Sequence, residues 1–425
     1  MIASRIDNNL VRFILPLGLL IQISGIHWLG RGADISQTYT WLLFPALVCF
    51  LLNIKSLRDW RPDWQEICIA GFLITALASW WWSPSEKPWI DVLKKCLYIS
   101  MYLYALVRLS QKGRLLEKTL VASAIIAVLG AAVALINQYV IQDHSLSYRS
   151  YRISSMGIAR FGDMGNPIPA GIYFGAIAAL LFSWTCTTLL KPWQLILSIT
   201  GVCTLLLYVL MTGSRGPQLA TAVAFLAACL VIRNKRTKLF LGLGLITAII
   251  GLYLFQESFF EINKDSTLNG RVPIWLSTLK HISDSPWIGH GLGYKMSNLW
   301  QGTHFIYAHN YYLQSALNYG LLGFSLFAGI IGSTLFLIRK HWHNTLIKIS
   351  FFLLIYGMTC MLTEISRLII IPDEAWLIFW LPVGLVVGAK YRSDNNTRYK
   401  SVHTAEYSVS QNIKTASTEK KAFNK

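Results

Sequence analysis

Three basic side chains stand where an apolar chain turns, and each is of a type that serves group transfer. Arg215 lies in Met211-Thr212-Gly213-Ser214-Arg215-Gly216-Pro217, between two apolar runs. Gly213, Gly216 and Pro217 break the first helix, and Pro217 can start the next. A guanidinium at a membrane boundary is costly without a partner or a wet cavity. It either snorkels to the interface or ligates an anion, because its planar fork matches phosphate. Arg271, just ahead of Val272–Leu279, is a second anion-ligand candidate, with a solvated or structural role as the alternative. His309, in Tyr307-Ala308-His309-Asn310, is the general-base candidate. Imidazole changes protonation near neutral pH and can take a proton from an attacking hydroxyl, although a lone histidine is more often structural. His281, His290 and His304 are lesser candidates for the same work. There is no HExxH or paired-carboxylate motif, and Glu261, Asp265 and Asp284 are scattered, so neither a metal site nor a cofactor is expected.

The elements that must position these residues are membrane helices. The chain has 425 residues, 54% hydrophobic and only 14% charged, against about 25% charged in an average soluble domain. Apolar runs of about 18 or more residues recur, which gives an all-α polytopic membrane protein. A barrel would instead show short alternating strands. About twelve spans are expected, at roughly 10–29, 40–54, 65–83, 92–108, 119–141, 168–190, 193–212, 217–233, 239–257, 310–338, 346–364 and 374–389. The seven cysteines fall in these runs without ligand spacing, and read as small core residues. The first run lacks a small-residue cleavage site and reads as a span, not a removed signal peptide.

Charge placement orients the spans. Of 38 lysines and arginines, 25 fall on the side that holds both termini, although the other side owns the longest loop. That places both termini in the cytoplasm. The loops near 142–167 and 258–309, Thr212–Gly216 and the Thr363–Glu374 turn then face outward. Residues 1–390 form one membrane domain, with 258–309 as its main outer loop, carrying a short amphipathic helix. Residues 391–425 form a polar, disordered cytoplasmic tail. The net charge of +18 is a topology signal and implies no nucleic-acid partner. Arg149, Arg152 and Arg160 break the inward-positive trend, as surface charges or as attractors of an anionic substrate. Glu364, Arg367, Asp373 and Glu374 are expected to form an ion-pair network around the mouth. Trp80-Trp81-Trp82 reads as an aromatic belt that anchors the span among membrane lipids, with contact to a lipid substrate as the alternative. Gly289-His290-Gly291-Leu292-Gly293 looks like a phosphate-cradling loop, but no strand-turn-helix unit surrounds it; glycines for a sharp backbone turn are the better reading. An outward cavity with arginines and one histidine near the interface suits an anionic, lipid-anchored substrate, and would also suit a transporter.

Three pieces, in order, resemble the O-antigen ligase/polymerase family of bacterial membrane glycosyltransferases. They are Thr212-Gly213-Ser214-Arg215-Gly216; Gly270-Arg271 to Ile274-Trp275, followed by Pro286-Trp287-Ile288-Gly289-His290-Gly291-Leu292-Gly293; and Ala308-His309-Asn310-Tyr311-Tyr312-Leu313 to Tyr319-Gly320-Leu321-Leu322-Gly323. Arg160-Phe161-Gly162 to Gly165-Asn166-Pro167 is similar to the family's pre-span loop, with Ile168-Pro169 as a departure. The resemblance implies a GT-C-like fold and glycan transfer, without metal and with inversion, from undecaprenyl diphosphate at the periplasmic face of the bacterial inner membrane. It implies that Arg215 and Arg271 hold the diphosphate and His309 activates the acceptor hydroxyl. Arg160, Tyr307 and Asn310 are implied as further substrate contacts. A ligase acting on the lipid A–core oligosaccharide is the preferred member. A polymerase or a protein O-oligosaccharyltransferase is the family alternative, and a polysaccharide exporter is the reading from another class. The oligomeric state is not legible.

Both termini should be cytoplasmic and Gln301 outside. Reporter fusions at Gln301 and Lys400 test this: an active periplasmic reporter at Lys400 would invert the topology.

Overall fold

A computed structural model describes residues 2–55, 60–147, 149–240, 242, 271–296, 298–300 and 303–392. Eight helices among them are long and apolar enough to cross a membrane. They are α1 (Ala3–His27), α2 (Ala33–Leu52), α5 (Leu115–Ile141), α6 (Pro167–Thr187), α7 (Pro192–Met211), α8 (Arg215–Ile232), α10 (Tyr311–Lys340) and α11 (Thr345–Thr363). Three more helices lie on expected spans. These are α3 (Trp64–Ala78), which is short; α4 (Trp89–Ser110), which carries Asp91, Lys94, Lys95 and Arg108; and α12, residues 374–392. The span expected at 239–257 falls almost wholly outside the described residues, as does the tail beyond 392. Helix α12 runs two residues into the stretch read as tail.

The segment 271–309 departs from a purely helical expectation. It carries α9 (Arg271–Asp284) and a two-stranded antiparallel hairpin, β1 (Asn298–Trp300) paired with β2 (Thr303–Phe305), with Leu299 opposite His304. The apolar side of α9 turns Ile274 and Thr278 inward, while Leu276 and Leu279 stay exposed.

Helix α6 is the centre of the bundle. It starts cleanly: the Asn166 side chain accepts from the Ile168 N–H at 2.9 Å and Pro167 takes the first helical position. Sixteen of its residues are buried, many of them Gly or Ala. Small residues let backbones approach closely, which is how helices associate when lipid removes the hydrophobic incentive. A Cβ on Gly171 would press on Pro217 of α8 at 3.1 Å; one on Gly175 would collide with the Tyr356 hydroxyl of α11. That hydroxyl donates to the carbonyls of Gly171 and Ile172. Helix α6 therefore holds α8 and α11 side by side, and their adjacent ends carry Arg215 and Glu364.

The glycine-rich segment 286–293 is a wedge. Helix α10 breaks at Gly320, whose φ of 64° and ψ of −165° suit glycine alone. The wedge supplies the partners the broken turn lacks. His290 and Gly291 N–H groups donate to Leu317 and Asn318 carbonyls, both at 2.8 Å. Leu321 and Leu322 N–H groups donate to Pro286 and Trp287 carbonyls at 2.8 and 3.2 Å. The sharp-turn reading holds: the amides of His290 and Gly291 are spent on protein.

A side chain on Gly320 would meet the Trp287 carbonyl, whereas one on Gly332, in the same helix, meets nothing within 4 Å. Gly320→Ala should cost at least about 2 kcal/mol. Gly332→Ala should be neutral or stabilising by up to about 1 kcal/mol. Thermal unfolding of the two detergent-solubilised variants checks the contrast, and equal midpoints would refute it.

Candidate active site

Three elements converge where α8 begins and α11 ends. Arg271 of α9 donates through Nη2 to Glu364 Oε1 at 2.7 Å and to the Thr363 carbonyl at 3.0 Å. The Glu364 side chain is only 7% exposed, so its charge depends on that partner. Gly216, next to Arg215, completes the contact: a Cβ there would stand 2.6 Å from Glu364 Oε1 and from Thr363 Oγ1. The start of the Arg215 helix, the Arg271 guanidinium and the Glu364 carboxylate are thus one cluster. Arg152 enters it from the 142–167 loop, donating through Nε to the Thr212 carbonyl at 2.8 Å and through Nη2 to Ser214 Oγ at 3.0 Å. Ser214 Oγ also donates to the Pro167 carbonyl at 3.1 Å, tying the head of α8 to that of α6. Burial pushes the Glu364 carboxyl up from the ordinary carboxylate range, while Arg271 and Arg152 pull it back.

His309 adopts a left-handed φ of 50°, uncommon for a residue with a side chain. Its neighbours enforce it: Trp275 Nε1 donates to the Ala308 carbonyl at 3.1 Å, and the Ala308 N–H donates to Gln314 Oε1 at 2.9 Å. On the other side Asn310 caps α10, its Oδ1 accepting from the Leu313 N–H at 3.2 Å. Burial and the nearby Arg271 charge push the His309 pKa below 6.5, so the ring is neutral at neutral pH.

The remaining expected residues divide. Tyr307 sits with Arg367, whose guanidinium lies 5.2 Å over the ring. Asn310 is a helix cap, which accounts for its side-chain oxygen. Arg160 packs on Gly30, and its carbonyl accepts from the Arg31 N–H; this side chain lies with the Gly30 turn and not with the Arg271–Glu364 pair. Arg31 lines a separate cavity of about 320 Å³ with Asp34, Asp163, Asp373 and Glu374, and neither Arg215, Arg271 nor His309 lines it. His281 and His290 bind each other's surroundings: His290 Nε2 lies 2.7 Å from the His281 carbonyl, and the His290 ring stacks on Tyr294. Among the described residues no group of three or more His, Cys, Asp or Glu is placed to hold a metal ion.

Residues 200–328 match the family model described as O-Antigen ligase. A curated O-antigen ligase of Pseudomonas aeruginosa is 26% identical over 383 residues, spanning 89% of this chain and 90% of that protein. The resemblance is to the O-antigen ligases. The family segment contains Arg215, Arg271, Tyr307, His309 and Asn310, while Arg152, Arg160 and Glu364 lie outside it.

From sequence, Glu364 reads as part of a general ion-pair network and Arg152 as one of three loop charges. An apolar helix ending on a lone carboxylate was the available signal for Glu364. Nothing local to Arg152 sets it apart from Arg149, because its role comes from a contact sixty residues away along the chain.

The environment of His309 can be measured directly. Diethylpyrocarbonate attacks neutral imidazole, so the reactivity of His309, followed by mass spectrometry, should be half-maximal below pH 6.5. Arg271→Gln removes the neighbouring positive charge and should move that midpoint upward. A midpoint at 6.5 in both proteins would refute the coupling.

Proposed function

We propose that this protein is an O-antigen ligase that transfers a polysaccharide from undecaprenyl diphosphate to the lipid A–core oligosaccharide at the periplasmic face of the inner membrane. The supporting observation is the convergence of Arg271, the head of the Arg215 helix and a neutral His309 at one end of the bundle. Arg215 and Arg271 hold the donor diphosphate. A helix N-terminus adds a partial positive charge on the same side. The exposed apolar residues Leu276 and Leu279 beside Arg271 suit a donor presented from the lipid phase.

In the reaction, an acceptor hydroxyl approaches the anomeric carbon in line with the bond to phosphate. His309 takes the hydroxyl proton on its unprotonated ring nitrogen. The new carbon–oxygen bond forms as the carbon–phosphate oxygen bond breaks, with inversion. The leaving undecaprenyl diphosphate carries off the electron pair. Its growing charge is met by the preorganised guanidinium groups, which need no metal for that task. Transfer should therefore fall as pH drops and His309 becomes protonated.

A deletion strain complemented with variants tests the proposal. The strain itself should lose the lipopolysaccharide ladder and accumulate lipid-linked polymer; a core carrying one repeat would indicate a polymerase instead. His309→Ala should reduce transfer by about 10²–10⁴-fold. Arg215→Lys and Arg271→Lys keep charge but lose the fork, and each should depress the ladder strongly while the protein still inserts. A full ladder with either lysine variant would leave interfacial anchoring as that arginine's explanation.

A further inference from the structure

We infer that Glu364 is the positioning residue of this site, fixing the Arg271 guanidinium against the head of the Arg215 helix. The inference rests on the diphosphate reading above. Three observations on different elements carry it. The ion pair is short, at 2.7 Å, and uses one Arg271 nitrogen, which also binds the Thr363 carbonyl. With the two N–H groups of Nη2 spent on the carboxylate and the Thr363 carbonyl, three guanidinium N–H groups, on Nε and Nη1, lie outside these contacts and can form a two-pronged grip. The same carboxylate oxygen lies where only a glycine, Gly216, lets α8 approach it. The carboxylate is buried and its charge is answered from two sides, by Arg271 directly and by Arg152 at longer range.

This arrangement sets a distance. Arg271 rides on α9, and among the described residues its pair with Glu364 is the only ion pair that joins α9 to the bundle. Arg215 belongs to the bundle itself. A diphosphate gripped by both needs them at a constant spacing, and Glu364 is the group that touches both sides. Its negative charge also opposes an incoming anion, so it contributes orientation at some expense of affinity. Loss of the charge with retention of shape should then slow transfer without weakening donor binding. A merely structural carboxylate would not produce that split.

Glu364→Gln is near-isosteric and is the central variant. In proteoliposomes with lipid-linked polysaccharide as donor, kcat should fall about 10–100-fold, the range set by misplacing a positioned group. The donor KM should stay level or fall. Phenylglyoxal labelling of Arg271, read by mass spectrometry, should accelerate in Glu364→Gln because the guanidinium is released. Combining Glu364→Gln with Arg271→Gln should cost no more than Arg271→Gln alone. Wild-type kcat, unchanged labelling, or multiplicative losses in the double variant would each overturn the inference. If Glu364→Gln fails to insert, Glu364→Asp, which keeps charge but shortens reach, carries the same labelling and rate tests. Should Arg271→Gln alone transfer at the wild-type rate while labelling still responds to Glu364, the diphosphate reading fails and the geometry stands, which separates the two.

Discussion

The site depends on how closely α8 and α11 can lie against α6. Gly171 and Gly175 leave room for Pro217 and for the Tyr356 hydroxyl, and that room is what brings Gly216 against Glu364. A larger side chain on α6 would push α8 outward and open the gap that the carboxylate now fills. In lipid, where packing and polar contacts must do the work of association, such a displacement has no apolar compensation from water. The charged cluster is thus a result of helix packing, and it in turn fastens the loop helix to the bundle. Removing either member of a buried pair of this kind costs about 3–5 kcal/mol, because the other is left uncompensated.

Much of the architecture was legible because lipid makes strong demands. Long apolar runs must be helices, and eleven of the twelve expected spans coincide with helices that the structure describes. Arg215, Arg271 and His309 were legible for a related reason: each is a costly or titratable group beside a break in an apolar run. Their mutual arrangement was not. It depends on Glu364, which lies 93 residues from Arg271, and on glycine contacts that have no signature beyond glycine itself. Asn310 shows the limit of a motif. It sits beside the histidine as the family pattern implies, yet its oxygen caps α10 and thereby shapes the backbone of its neighbour. Arg160 shows another limit, since its loop folds toward Gly30 and Arg31.

The two halves of the segment 271–309 solve different physical problems. Its first half presents Arg271 and buries Ile274 and Thr278, leaving the apolar Leu276 and Leu279 exposed. Its second half forces His309 into a left-handed turn and hands the chain to α10. The strain at that turn is supported by hydrogen bonds from both directions, through Trp275, Gln314 and Asn310. A side chain held in this way loses little orientational freedom when a ligand arrives.

The wedge at Gly320 has an electrical consequence. A break in a membrane helix normally leaves carbonyl and amide groups that draw in water, and a thread of water conducts protons. Here the four orphaned groups around the break are paired with backbone from 286–291. Pairing them within the protein leaves these four groups no need of water, so the bend adds none of them to the unpaired backbone that in lipid would invite water and ions.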